Sequence, residues 1–227
     1  MELASNDIEE VVLIAPDGTA FDSQRVQTGV RTVRFQIIEF TPGRNTSSHY
    51  SPGTYEIVVV ANDTEYRQEL SLVPDLRLTD VRQYREGDSP ADLARIIFKM
   101  ENVGTGPTWI YDAVFQDSPN YTANGDLNVL PSIPYLQSPT TADELIIVEN
   151  ETQSYIDSAK PLAVPEAERD CEQQSQPFHM QIGVADGSVI ETNLSRTCEG
   201  DRIPLPFVDR VVYSRTKIEW EQQEGDT

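Results

Sequence analysis

The sequence predicts an all-β protein, organised as two β-sandwich domains in tandem, the second with long loops. Three observations predict this. Short apolar runs with period-two alternation recur at roughly ten-residue spacing. Turn signals separate them: Pro16-Asp17-Gly18, Pro52-Gly53 and Asp186-Gly187. A helical period is missing from nearly the whole chain.

The elements follow in order. "VVLIA", Val11 to Ala15, reads as a strand running into the Pro16–Gly18 turn. In "RTVRFQII", Val33, Phe35 and Ile37 share one face and Arg34 and Gln36 the other, which predicts a second strand. "SPGTYEIVVVA" opens on a turn, then places Tyr55, Ile57 and Val59 on one face. "TEYRQELSLV" alternates through Tyr66, Leu70 and Leu72, with a slip expected near Gln68. These strands make up a domain over residues 1–74. Pro74 in "VPDL" biases Val73 toward extended geometry and marks a joint at 74–76.

A second domain is expected over residues 75–220. "LRLTDVRQY" places Leu76, Leu78 and then Val81 in phase, and "ARIIFKMEN" alternates Ile96, Phe98 and Met100. "TWIYDAVF" and "DELIIVEN" read as further strands. Long loops are expected at 116–141 and 158–176. The second holds "PEAERDCEQQ", whose proline suits a first helical turn. "FHMQIGVADGSVIETNLS" reads as a hairpin with a two-residue type I′ turn at Asp186-Gly187. "VDRVVYSRTKIEW" forms a last strand or strand pair, and residues 221–227 a frayed tail.

The formal net charge is −21, and of the 17 basic residues only Lys99, Lys160 and Lys217 are lysine. Dense carboxylates repel at low ionic strength. The repulsion is screened in molar salt, where the Debye length falls to about 3 Å. An acidic, lysine-poor surface is therefore expected to belong to a halophilic setting. It excludes a nucleic-acid partner, which needs a basic stripe. No apolar run approaches the length of a membrane span. The start, "MELASNDIEE", lacks both a basic and an apolar signal region. Five Asn-x-Ser/Thr sequons, at Asn45, Asn62, Asn120, Asn150 and Asn193, are candidate glycosylation sites and point to an exported surface. Export would imply that a targeting segment has been removed.

Cys171 and Cys198 flank the predicted hairpin. A disulfide between them would staple the hairpin at its open end and contribute roughly 3 kcal/mol by loop-closure entropy. A metal site is disfavoured, because neither cysteine sits in a CxxC or near clustered histidine.

The stretches "LIAPDGT", "YSPGTYEIVVVA" and "LSLVPDLRLTDV", followed by "LARIIFKMENVGTGPT", resemble tandem immunoglobulin-like modules of haloarchaeal envelope proteins. The second part also resembles the CARDB-type adhesion module through its N-x-G-x-G turn, here Asn102, Gly104 and Gly106. The likeness spans roughly residues 8 to 115. It implies immunoglobulin-like sandwiches without enzymatic function and supplies no catalytic residues.

The remaining constellations speak against known catalytic chemistry. A dinucleotide loop needs a third glycine and a following helix, and a P-loop needs Gly-Lys-Ser/Thr. "GTGPTWIYDAVF" has neither, so Gly104 and Gly106 are expected to reverse the chain tightly between Ile96–Met100 and Trp109–Phe115. His49 and His179 lack a nucleophile context, and no Gly-x-Ser-x-Gly occurs. "NGDLN" (Asn124–Asn128) and "EGDR" (Glu199–Arg202) are oxygen-rich turns without EF-hand spacing. Trp109, Tyr111 and Phe115 either fill a core or stack on sugars.

The expectation is thus a non-enzymatic structural or adhesion protein of the halophilic archaeal cell surface. Its partners are expected to be other protein subunits, copies of itself included, with no catalytic residues, cofactor or metal. Two alternatives stand beside it. One is a structural protein of a haloarchaeal virus particle (capsid, turret or spike), and the other a secreted carbohydrate-binding module or hydrolase.

Overall fold

The computed structural model describes residues 8–27, 29–41, 46–120, 125, 127, 146–206 and 208–221, with the backbone alone at 39–41 and 46–49. The predicted loop 116–141 lies mostly outside these, as do the tail beyond Glu221 and most of "NGDLN".

Valine-rich runs form the centre of the first sheet. Strands β1 (Ile8–Ile14), β2 (Ala20–Arg25), β5 (Gly53–Ala61) and β6 (Thr64–Leu72) pair antiparallel in the order β2-β1-β5-β6. Strands β3 (Ile38–Thr41) and β4 (Thr46–His49) form a separate ribbon. β5 and β6 meet at Asn62-Asp63, both with positive φ (48° and 58°), the geometry of a type I′ turn. The β1–β5 register puts Leu13 opposite Ile57 and Val11 opposite Val59, so these residues share a face with Tyr55. Phe35, Ile37, Ile38 and Tyr50 cover that face. Residues 31–37 are expected to be a strand, yet they join no ladder. Their alternation is real, because Val33, Phe35 and Ile37 are half-buried, the last two against the sheet's core, and Arg34 and Gln36 are exposed. It marks an extended cover, not a paired strand.

Beyond Pro74 the strands pair among themselves. β7 (Leu76–Gln83), β8 (Ile96–Asn102) and β10 (Thr152–Ile156) form one sheet, ordered β10-β8-β7. β9 (Ile110–Gln116), β11 (Val164–Pro165), β12 (Gln176–Val184), β13 (Val189–Pro204) and β14 (Arg210–Trp220) form another, ordered β11-β14-β13-β12-β9. A 3₁₀ turn at Pro90–Ala94 opens with a capping box from Ser89 to Asp92. One helical turn, α1 (Asp170–Gln173), forms within "PEAERDCEQQ", but it begins beyond the proline and not on it.

The two sheets enclose one core. Ile96, Phe98 and Met100 of β8 meet Phe115, Met180 and Ile182, all with no exposed surface. Burying one such side chain contributes about 1.5–3 kcal/mol. Phe98 stacks on Tyr155 at 5.5 Å. Gln83 laces the sheets together at one side. Its Nε2 donates to the carbonyls of Leu93 and Tyr213, at 2.8 and 2.9 Å, and its Oε1 accepts from Thr216 N–H at 2.9 Å.

Several expectations are corrected here. β8 and β9 lie in different sheets, so the glycine loop crosses the sandwich and is not a tight hairpin. The β12–β13 turn is not type I′. Gly187 alone has positive φ (89°), and Val184 and Ser188 close a three-residue loop ending in that glycine. The phase change after Leu78 is a bulge between Leu78 and Asp80, whereas β6 shows no slip at Gln68, which faces Ile57 in regular register. Within 158–176 the chain is packed down, with Leu162, Ala163 and Val164 buried. Of "DELIIVEN", Ile147 makes only an isolated bridge to Thr108.

Candidate functional site

The Asn-x-Gly-x-Gly turn is the seam between the two halves. Asn102 is fully buried and its side-chain amide fills all four hydrogen-bonding positions. Its Oδ1 accepts from the N–H groups of Asp75 and Gly104, each at 3.1 Å. Its Nδ2 donates to the carbonyls of Gly106 (2.8 Å) and Ile147 (3.0 Å). The glycines are required by proximity. A Cβ on Gly104 would stand 2.3 Å from the Val73 carbonyl oxygen, and one on Gly106 would stand 2.1 Å from the Tyr50 hydroxyl. That hydroxyl donates to the Pro107 carbonyl at 2.9 Å, and burial pushes its pKa up. Ile38 packs beside Trp109 and Tyr111. The loop is therefore a joint that seats the first sheet on the second half.

Cys171 and Cys198 form a disulfide with Cα atoms 5.2 Å apart. It does not join the two strands of the hairpin. Cys198 sits on β13 opposite Thr216, and Cys171 lies in α1, so the bond fastens the segment before β12 onto the sheet. Polar contacts hold the same segment. Arg196, buried and with its pKa lowered by desolvation, donates to Glu168 at 3.1 Å and to Gln176. The Tyr213 hydroxyl donates to Glu172 at 2.6 Å.

Asp157 is a second buried charge centre that sequence reasoning missed. It accepts from Ile96 N–H and, at 2.9 Å, from Lys160 N–H. Burial raises its pKa to about 7, although these backbone donors and Arg95 favour the carboxylate. Its one signal in the sequence is the Asp157–Lys160 spacing of an Asx-type turn.

The sequons divide. Asn62 occupies the β5–β6 turn, Asn150 lies in an exposed turn, and Asn193 lies exposed on β13. Asn193 donates to Glu221 at 2.8 Å. Asn120 is buried, and its amide donates to the Ala159 and Lys160 carbonyls at 3.3 and 3.1 Å, so the folded protein does not offer it for modification. Asn45 falls outside the described residues, as does the His49 side chain. His179 Nδ1 lies 3.1 Å from Asn193 Oδ1. Trp109, Tyr111 and Phe115 are buried, which removes the sugar-stacking strand from consideration. Trp220 packs against the main core. "EGDR" is a β-bulge on β13, with Gly200 at φ 77°, and not a turn. Among the described residues no cluster of three or more His, Cys, Asp or Glu could hold a metal ion, and no helix is long and apolar enough to cross a membrane.

The remaining surface feature is the edge of the first sheet. β6 is the terminal strand, and all its residues from Thr64 to Ser71 are exposed. The type I′ turn fixes which backbone groups it presents. Ala61 and Thr64 flank the turn and bond to each other, so Tyr66, Gln68 and Leu70 also bond to β5. Glu65, Arg67, Glu69 and Ser71 then direct their N–H and C=O groups outward. Tyr66 and Leu70, 50% and 37% exposed, lie on one face. Glu65, Arg67 and Glu69 lie on the other, where Arg67 pairs with Glu56 at 2.6 Å and Glu65 at 2.9 Å. Among the other terminal strands, β10 and β11 are short and β7 is held to β14 through Gln83, whereas β2, at the opposite edge of the same sheet, is shorter than β6 and also largely exposed.

No family model, curated protein or solved structure matches the chain.

Proposed function

We propose that this is a non-enzymatic structural or adhesion protein of the halophilic archaeal cell surface, built from two immunoglobulin-like modules in tandem and acting through protein–protein contacts. The observation that carries the reading is the open edge of β6, a long ladder of backbone donors and acceptors with no partner strand on its outer side among the described residues. Two features support the location. A disulfide persists in oxidising compartments. A charge of −21 with three lysines matches a surface that works in molar salt. The experiment is surface labelling. Antibody raised against the folded protein should decorate intact cells of the source kept at about 3 M salt. Label that enters only after lysis would overturn the location. Label on released particles instead of cells would favour the virus-particle reading, for which the same edge serves subunit assembly.

A further inference from the structure

We infer that β6 is a self-pairing edge: two copies of this chain join β6 to β6 antiparallel, about a two-fold axis through Gln68, into one continuous eight-stranded sheet. The inference deepens the contact reading above and rests on it. Three observations on the strand itself lead to it.

The first is backbone parity. Glu65, Arg67, Glu69 and Ser71 face outward, so a second β6 must oppose odd-numbered residues with odd-numbered residues. With the axis on Gln68, Arg67 meets Glu69 of the second copy and Glu65 meets Ser71, each twice. Every outward N–H and C=O from Glu65 to Ser71 then has a partner. Tyr66, Gln68 and Leu70 occupy the intervening positions that bond inward.

The second is charge. An axis on Arg67 would set Arg67 against Arg67 and Glu65 against Glu69. An axis on Glu69 would set Glu69 against itself. Like charges directly opposite are destabilising. An axis on Tyr66 also pairs unlike charges, but it overlaps only Thr64–Gln68 and leaves half the ladder open. Of these registers, the one on Gln68 alone uses the whole strand and opposes Arg67 with a carboxylate on both sides of the axis.

The third is the apolar face. The Gln68 register places Tyr66 across from Leu70 of the second copy, twice, in pairs without direct hydrogen bonds, where side chains approach most closely. These are the two exposed apolar side chains of β6. The glycine loop adjoins the edge at its far end, where the Thr105 hydroxyl donates to the Ser71 hydroxyl and accepts from Val73 N–H, each at 3.3 Å, and Gly106 N–H donates to the Val73 carbonyl at 3.1 Å. On the charged face each copy brings Glu56, Glu65 and Glu69 around one Arg67, so carboxylates remain in excess. Pairing should therefore strengthen as salt rises, unlike a simple ion-pair interface.

The test is mass by light scattering on the full chain, from about 0.1 to 3 M KCl. The expected result is a dimer whose fraction rises with salt. Arg67→Glu sets a carboxylate against Glu69 of the second copy and should raise the dimer Kd by roughly tenfold or more. The double variant Arg67→Glu/Glu69→Arg should restore it. The chain has no free cysteine. Gln68→Cys should accordingly cross-link two copies under mild oxidation, and Asp22→Cys on the opposite edge strand should not. This second readout stands if a charge variant fails to fold. A monomer throughout the salt range, a dimer indifferent to both charge variants, or a dimer in which Gln68→Cys gives no cross-link would each overturn the inference. None of these touches the surface-labelling result, so self-pairing and the cell-surface reading fail separately.

Discussion

The two halves of this chain use similar strands and reach different ends. Beyond Pro74, two sheets close on a cluster of sixteen buried residues, and the buried amides of Asn102 and Gln83 are held by four and three hydrogen bonds. Before Pro74, a cluster of four buried side chains, Leu13, Tyr50, Tyr55 and Leu72, lies between one sheet and a cover of irregular chain, and Thr64–Ser71 of the last strand are exposed on both faces. Sheets become rigid when both inner faces belong to ladders. A sheet with one covered face and an open edge keeps its backbone available to a partner. On the proposed reading, the difference gives stability to the second half and contact to the first.

That contrast is open to attack, beginning with the largest effect. Asn102→Ala should cost about 3–5 kcal/mol, because it strands two N–H groups and two carbonyls at the seam. Urea denaturation at high salt would check it, and a loss below about 1 kcal/mol would remove Asn102 from its central place. Asp157 comes next. Its folded pKa, about 7, lies above the ordinary carboxyl value of 3.8, so the native state holds the proton more tightly than the unfolded chain. Its contribution is therefore full below about pH 4 and is lost as the pH rises through 7. Relative to Asp157→Asn, the wild type should lose a few kcal/mol between pH 4 and 8, at about 1.4 kcal/mol per tenfold change in proton affinity. Parallel pH–stability curves would refute this. Reducing Cys171–Cys198 should cost about 3 kcal/mol and loosen the segment around α1 before it loosens β8. Hydrogen exchange would show the order.

Two smaller effects sharpen the comparison. Gly106→Ala drives a methyl into the Tyr50 hydroxyl and should cost about 1–3 kcal/mol, with faster exchange concentrated at Leu72–Asp75. Tyr66→Ala, on the bare strand, should change the stability of the separate protomer by no more than about 0.5 kcal/mol. A larger loss would mean that β6 is a structural strand and not a contact strand.

Strand positions were largely legible, because alternation reports which side chains share a face. The partners of each strand were not. "ARIIFKMEN" and "TWIYDAVF" are neighbours in sequence with a glycine turn between them, yet the chain crosses to the other sheet there, with Gly104 and Gly106 close against the Val73 backbone and the Tyr50 hydroxyl. The alternation of Val33, Phe35 and Ile37 misled in the opposite direction, since a period of two records burial and not pairing. The disulfide was legible as a pair of residues, but its anchoring of α1 depended on how far the strands ran. The open edge had no signature at all. Nothing in "TEYRQELSL" says that no strand among the described residues pairs with its outer side. Only the order of strands shows it.

Asn120 leads to a different kind of consequence. Its amide nitrogen is committed to the carbonyls of Ala159 and Lys160, and a sugar attached there would occupy the space those bonds need. An oligosaccharide on Asn62 or Asn150 would be compatible with a finished molecule. One on Asn120 could be added only before the chain closed, and it would keep the chain from closing. In a glycosylating host this sequon would act as a timer, with its occupancy recording how often enzymatic transfer outruns folding.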